Sequence, residues 1–496
     1  MSNKTKQENS SLINIDKKTI FGVTALLFAI MIFAGILTQV IPTGEYNYAP
    51  DGSILNGTYH EIPKDEVGYS FWRIFLSPIE AFMYATSDAM TGVIIILVII
   101  LIGGTFLVLD KSGVLKYIMS VIVNKFSDKK YHLLAIMVFA CMLLSSFAGI
   151  LEEAVTLVPL AVAISLSLGW DSFTGLGFSL IAVTFGYSAA TFNPFNVGIV
   201  QSMTDLPMFS GVLFRILVFI VVYAILAGFL INYAKKIERN PRKSLCYESD
   251  LKLKERVFTE ESEKLLNNPL LPKATKAFIS ALLTVLVITV VCLVANTLIE
   301  NSTISDIIGY LPLASMAVLF TAGGLRAGKV SGMNGKQLRK IFKSGAKTIL
   351  PCAPLIMMII CVTYILKSGK IIHTMLYWVY EFIGELNPVL SIVIIFLVIS
   401  VFEFFIGSGS AKAFLLMPIL LPLVDMVGIG KQTLIVAFCL SDGLCNVLYP
   451  TNGLLIIALG IINISYGKYI RCAWKLFLME FLACIAMIVL GTLISY

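Results

Sequence analysis

Four carboxylates and one amine stand in stretches that are otherwise apolar: Glu152, Glu153, Glu403, Asp442 and Lys412. Ionisable side chains at bilayer depth are costly to desolvate and are kept for pairing or for function. The chemistry open to them is ion pairing, recognition of a charged solute, or carriage of a coupling ion. With Pro159 matched to Pro418, Glu153 falls opposite Lys412, and a structural ion pair is the simplest role for those two. Four acids against one base still leave a surplus of acid, which suits a positively charged group on a ligand. Acid–base catalysis by Glu152 and Glu153 would call for a nucleophile paired with a base, and the sequence offers no such pairing. Arg215, Arg471 and Lys475 fall near the ends of apolar runs, where long basic side chains snorkel to water.

Small and hydroxylated residues interrupt the same stretches. Ser145-Ser146-Phe147-Ala148-Gly149 precedes the Glu152-Glu153 pair, and Gly407-Ser408-Gly409-Ser410 lies between Glu403 and Lys412. Such residues let a buried backbone turn without stranding its polar groups, so each is expected to be the tip of a re-entrant helical hairpin. A second kind of break follows each tip. The first is Thr191-Phe192-Asn193-Pro194-Phe195-Asn196; the second is Asn446 followed by Tyr449-Pro450-Thr451-Asn452-Gly453. Proline removes a backbone donor and crowds the preceding turn, and asparagine can satisfy the groups that are freed. Two half-helices should result at each break, with N–H groups that attract anions and carbonyls that hold cations.

Two short motifs recur at one spacing. Lys111-Ser112-Gly113 returns 256 residues later as Lys367-Ser368-Gly369, and Pro194-Phe195-Asn196 returns at the same offset as Pro450-Thr451-Asn452. Paired breaks in matching halves mark a secondary transporter whose site lies between the repeats.

The elements that must carry these residues are membrane helices. The chain of 496 residues is 58% hydrophobic and 14% charged, against about 25% charged in soluble domains. Apolar spans are readable near 20–42, 90–109, 209–234, 275–299, 306–325, 347–366 and 470–494, with interrupted zones at 131–203 and 386–461. The run after Lys17-Lys18 is too long for a signal-peptide core and is expected to be a retained span. Basic residues orient the spans. The acidic segment after the first span is expected outside; segment 110–130, the start of the central linker and the loop 326–347, with its seven Lys/Arg and no acid, are expected inside. Segment 69–88 reads as interfacial. The second half then has one extra span before the matched region, which inverts the repeat. The expected fold is an all-α polytopic membrane protein with an inverted repeat, two re-entrant hairpins and two broken helices, in about 9–11 spans. The domains are 1–234, a cytoplasmic linker 235–273, and 274–496.

Other chemistries find little footing. The three His are far apart and the nine Cys form no CxxC pair, so no metal site or cofactor is expected. P-loop, GxSxG and HExxH patterns are absent. The net charge of +7 sits mostly in loops and reads as topology, not as nucleic-acid binding.

The Ser/Gly-rich tips, each followed by an Asn-Pro or Tyr-Pro-Thr-Asn break, resemble the ion-transporter superfamily. The Leu109-to-Gly113 turn and the Glu152-Glu153 hairpin make the layout similar to the C4-dicarboxylate anaerobic carrier family, in particular its branch of basic amino-acid (arginine/ornithine) antiporters. The resemblance covers nearly the whole chain. It implies a homodimer in the bacterial cytoplasmic membrane, in contact with lipid, that moves a small-molecule substrate and is not an enzyme. It also implies that Ser145, Ser146, Asn193 and Asn196, with Gly149 and Pro194 shaping the backbone, line one half-site. Ser408, Ser410, Thr451 and Asn452, with Gly409 and Asn446, would line the other. A clean Ser-Asn-Thr triplet, as in sodium-coupled dicarboxylate members, is absent from both tips, and the coupling ion stays open. The expected activity is exchange of a cationic amino acid, whose carboxylate would meet Asn193–Asn196 and Ser408–Ser410 and whose cation would meet Glu152, Glu153 or Asp442. A C4-dicarboxylate carrier using Lys412 as anion contact, and a channel, are the alternatives.

Overall fold

In hydrocarbon a backbone must bond to itself, so long apolar runs become helices. A computed structural model describes residues 17–48, 55, 57–83, 87–152, 154–204, 206–207, 209–257, 268–298, 302–384 and 386–496. The first half contains α1 (Lys17–Val40), α2 (Ser87–Lys111), α3 (Val114–Phe126), α4 (Lys130–Ala148) and α5 (Ala154–Ser167). It continues with α6 (Ser172–Leu176), a π-helical turn (Gly177–Ile181) and α7 (Ala182–Ser188), then a second π-helical turn (Pro194–Gly198), α8 (Ile199–Ser202) and α9 (Val212–Arg239). The linker contributes α10 (Tyr247–Val257). The second half runs through α11 (Leu271–Leu298), α12 (Ser302–Val330), α13 (Gly335–Ile349), α14 (Ala353–Ser368), α15 (Ile372–Ile383), α16 (Pro388–Phe405), α17 (Gly409–Val427), α18 (Lys431–Leu448), α19 (Gly453–Ile462) and α20 (Tyr466–Leu493). Among the described residues the strands are two short pieces, Gly44–Glu45 paired antiparallel with His60–Glu61.

The expected all-α polytopic fold is what the chain adopts. Six described helical runs are long and apolar enough to cross a membrane, and two bent pairs, α2 with α3 and α13 with α14, raise the number to eight. Helices α1, α11 and α12, described in part, span 24, 28 and 29 residues, enough at 1.5 Å per residue to reach across about 30 Å of hydrocarbon. Segment 69–88 does not cross: its described part forms a 3-10 turn, Phe71–Phe75, and a helix of 7 residues, Ser77–Met83. The linker is shorter than 235–273. Helix α9 keeps its Lys235, Lys236 and Arg239 in its last turns, where the helix dipole favours cations, and α11 starts at Leu271.

The order of elements repeats. The break at Gly113, where φ is 82°, separates α2 from α3, and the matching Lys367-Ser368-Gly369 separates α14 from α15. Helices α4, α5, α6–α7, α8 and α9 then match α16, α17, α18, α19 and α20 in sequence. Contacts between the halves are reciprocal. The π-helical turn at Pro194–Gly198 and α8 pack against α17, while α19 packs against α5, the counterpart of α17. Helix α7 crosses its own counterpart α18. Such exchange of equivalent partners is what a two-fold relation between two copies produces.

That crossing is the centre of the protein. Every residue from Ser172 to Ser188 is buried, and so is every residue from Thr433 to Val447. A helix apolar on all faces belongs in a core. The crossing is close because Gly443 has no side chain: a Cβ there would fall on the Ser188 backbone.

Candidate functional site

Both expected breaks are present. Helix α7 stops at Ser188, residues 189–193 are non-helical, and the chain resumes as the π-helical turn at Pro194. Helix α18 stops at Leu448, and α19 begins at Gly453 after a turn through Pro450. Both tips are breaks as well. Helix α4 ends at Gly149, whose φ of 70° suits glycine and whose N–H donates to Ser145 O at 2.8 Å. Helices α16 and α17 are separated by residues 406–408 and pack on each other.

The tip-one residues divide by what their polar atoms do. Ser146 is fully engaged. Its Oγ donates to Ala189 O at 2.7 Å and accepts from Thr191 N, and its carbonyl accepts from Thr191 N and Phe192 N. It fastens α4 to the broken segment. Asn196 Nδ2 donates to Tyr187 O at 2.9 Å and so satisfies the frayed end of α7. Asn193 Oδ1 accepts from Phe195 N at 2.9 Å and lies against Gly149. By contrast, Asn193 Nδ2 and Ser145 Oγ are buried and have no hydrogen-bond partner among the described residues. Among the described residues of the first tip and break, these two atoms are left without a partner.

In the second half Asn446 and Asn452 bridge their own break. Asn446 Nδ2 donates to Asp442 O at 2.8 Å, Asn452 Nδ2 donates to Asn446 Oδ1, and Asn452 Oδ1 caps α19 through Leu454 N and Leu455 N. Thr451 is buried beside them. Ser408 caps α17, accepting from Ala411 N at 3.4 Å, and its Oγ lies 3.4 Å from Ser410 Oγ. Ser408 is exposed and Ser410 half-buried.

The charges assemble around α18. Lys412, wholly buried, forms ion pairs with Glu403 and, at 2.9 Å, with Asp442 Oδ1, and its ammonium stands 5.4 Å from the Phe438 ring centroid. The partners of Lys412 are therefore both from its own half. Glu153, matched to it in the sequence, lies outside the described residues. Glu403 sits at the end of α16 and Asp442 mid-way along α18, so the two helices that flank α17 both aim acid at its first turn. Asp442 Oδ2 has no hydrogen-bond partner among the described residues and faces Gly409, where a Cβ would come within 2.8 Å of it and 3.5 Å of Tyr187 Oη. Glu152, exposed at the first tip, is within electrostatic reach of Asp442 and of Tyr187. Both tips thus converge on one carboxylate. Two carboxylates against one ammonium leave this centre with net negative charge before Glu152 is added.

Arg215 departs from expectation. It does not snorkel; it is 2% exposed. Its Nε donates to Thr191 O at 3.1 Å, Nη1 to Ser210 O at 2.8 Å and Gln432 Oε1 at 3.2 Å, and Nη2 to Phe209 O at 3.1 Å. The guanidinium fork ties the carbonyl of Thr191, in the break at 189–193, to those of Phe209 and Ser210 in the loop before α9. Its nearness to a helix start concealed this, since sequence position cannot say which way a side chain at a span end turns. Tyr187 was not singled out either: it reads as one more apolar residue until the fold sets its hydroxyl beside Asp442.

Among the described residues no group of three or more His, Cys, Asp or Glu could hold a metal ion.

A curated relative from Escherichia coli (strain K12), "Putative basic amino acid antiporter YfcC", is 24% identical over 95% of this chain and 96% of its own length. An uncharacterized Haemophilus influenzae protein is 23% identical over 93% of this chain and 94% of its own. Two solved transporters cover 96% of the chain. One is Neisseria gonorrhoeae MtrF, of a class of antimetabolite efflux pumps, at 16% identity, TM-score 0.45 and 96% of its own length; the other is Alcanivorax borkumensis YdaH, at 17%, 0.46 and 99%. The C4-dicarboxylate anaerobic carrier profile matches residues 21–493. The chain is a multi-pass transporter of the cell membrane, and it belongs to the C4-dicarboxylate anaerobic carrier family.

Proposed function

We propose that this carrier exchanges basic amino acids of the arginine/ornithine type by alternating access between two oppositely oriented repeats. The supporting observation is the charge of the centre. Lys412 is already over-neutralised by Glu403 and Asp442, which leaves Asp442 Oδ2 as an unspent acceptor beside Gly409 and Tyr187. A buried, doubly paired lysine is a poor contact for a dicarboxylate, because it has no free charge to offer. A cationic side chain would restore neutrality, meeting Asp442 and the accessible Glu152, with Glu153 a further candidate. The substrate α-carboxylate would be held by the first turn of α17 at Ser408–Ser410 and by Ser145 and Asn193. Ser146, Asn196, Asn446 and Asn452 would keep the broken backbones in shape; Gly149, Pro194 and Thr451 would set the course of the chain around the solute.

The test is counterflow in proteoliposomes with labelled arginine and labelled succinate, on wild type and Asp442→Asn. Arginine should exchange and succinate should not. The variant keeps the Lys412–Glu403 pair, so it should remain folded while arginine exchange falls at least about tenfold, as loss of a charge-assisted contact of about 1.5–3 kcal/mol requires. Succinate counterflow with arginine inert would sink this reading and favour the dicarboxylate alternative. Fluxes that never saturate would favour a channel.

A further inference from the structure

The exchange just proposed makes no use of a buried acid in the last helix. Glu480 lies mid-way along α20 and is 0% exposed. Its Oε2 has no hydrogen-bond partner among the described residues, and its Oε1 faces Cys484 Sγ, one turn on, at 4.0 Å. Helix α20 packs against α9, α16, α18 and α19. The charges on these neighbours are engaged elsewhere. On α16 and α18, Glu403 and Asp442 share Lys412, and Lys431 pairs with Asp425 at the start of α18. On α9, Arg215 holds carbonyls and Glu238 pairs with Lys130, while Lys235, Lys236 and Arg239 sit at the helix end. On α20 itself Lys468, Arg471 and Lys475 occupy the first turns, and α19 has no charged residue. None of these charges forms an ion pair with Glu480 among the described residues.

An ionised carboxylate with no counter-charge and, among the described residues, only a weak thiol donor at 4.0 Å cannot be sustained in such a place; a neutral acid can. The surroundings also connect it to the site. Cys484 is next to Cys445 of α18, which reaches Ser400 of α16, and Ser400 Oγ lies 2.9 Å from Ser441 Oγ, beside Asp442. Glu480 therefore stands one helix behind the centre, on a helix that packs against the two that deliver Glu403 and Asp442.

We infer that Glu480 is a proton-binding site of this carrier, that it holds its proton in the conformation described here, and that release and recapture of this proton couple transport to the pH gradient. Loading converts the carboxylate and a proton from water on one side into the neutral acid. Unloading returns the proton to water on the other, when movement of the helices opens Glu480 to solvent. The coupling step rests on the exchange reading above; proton binding does not.

Infrared difference spectra of the purified full chain, wild type minus Glu480→Gln, test the binding. A protonated-carboxyl band at pH 7 that shifts in heavy water is expected, and its absence overturns the inference. Should Glu480→Gln fail to fold, Glu480→Asp must move the band; a band that stays fixed belongs to another group and overturns it equally. Proteoliposomes test the coupling. An imposed pH gradient should drive labelled arginine accumulation in wild type and not in Glu480→Gln, while counterflow at equal pH is retained in both. Gradient-driven accumulation that survives the substitution, or a wild type that ignores the gradient, overturns coupling. An infrared band without any arginine counterflow would leave the proton site standing and refute the substrate.

Discussion

At the scale of the residue, the centre is governed by the cost of buried charge. Lys412, Glu403 and Asp442 are each at most 3% exposed, so none is solvated by bulk water and each depends on the others. Removing the lysine leaves two uncompensated carboxylates, which costs about 3–5 kcal/mol. Lys412→Met should therefore lower the melting temperature of the purified carrier sharply, and Lys412→Met with Glu403→Gln should recover part of the loss. Equal melting temperatures for wild type and the single variant would refute the account. Arg215 offers a second reading of the same physics. Arg215→Lys keeps the charge but cannot reach Thr191, Phe209 and Ser210 together, so exchange should fall although expression persists. Exchange at the wild-type rate would show that the fork does not hold the break. The acids and the lysine were legible in the sequence because intramembrane charge is conspicuous. Which of them pair was not: matching Pro159 to Pro418 set Glu153 opposite Lys412, Glu153 lies outside the described residues, and packing brings Glu403 and Asp442 to Lys412. Arg215 turns inward, against the expectation of snorkelling, because proximity to a span end does not fix the direction of a side chain.

At the scale of the element, two features carry predictions. The crossing of α7 and α18 relies on Gly443, so Gly443→Ala should push the helices apart and cost about 1–3 kcal/mol, more if the backbones cannot yield. Thermal unfolding in detergent measures it, and a neutral effect would mean the crossing is looser than described. The linker helix α10 docks through Asp250, whose carboxylate accepts from Ser172 N at 3.0 Å and from Ser172 Oγ. Burial, and then the neighbouring Asp171, push the Asp250 carboxyl up from 3.8 to about 7. The folded value lies above the unfolded one, so protonation favours the docked state. That contribution is complete below about pH 4 and is lost as pH rises through about 7. Between pH 6 and pH 8 docking should weaken by about 1 kcal/mol. Hydrogen exchange over 247–257 should quicken accordingly in wild type and show no such pH dependence, beyond the intrinsic chemical rate, in Asp250→Asn. Equal pH dependence in the two proteins would exclude this origin. Element types were readable from apolar runs, and both breaks from Pro, Asn and Gly. Their ends were less so: the linker lost residues to α9 and α11 because a charged turn at a helix end satisfies the helix dipole as readily as it begins a loop.

At the scale of the whole molecule, the reciprocal packing of 194–202 on α17 and of α19 on α5 supports two copies of one unit about a central axis. If the copies are inverted, the acidic loop after α1 and the start of the linker lie on opposite sides of the membrane. A membrane-impermeant maleimide added to intact cells should label a cysteine at exposed His60 and leave one at exposed Arg242 unlabelled until the membrane is opened. Labelling of both, or of Arg242→Cys alone, would require another topology.

By itself the sequence determined that this chain lives in a membrane and where its helices are interrupted, and it pointed to two copies of one unit. Hydropathy, proline and asparagine act locally, so their consequences can be read along the chain. Only the tertiary structure decided which charges meet, that Tyr187 and Gly409 stand against Asp442, that Arg215 turns inward, and that Glu480 is left alone. The physical reason is desolvation: whether a polar group is spent, paired or free depends on the neighbours that exclude water from it, and those neighbours come from distant parts of the chain.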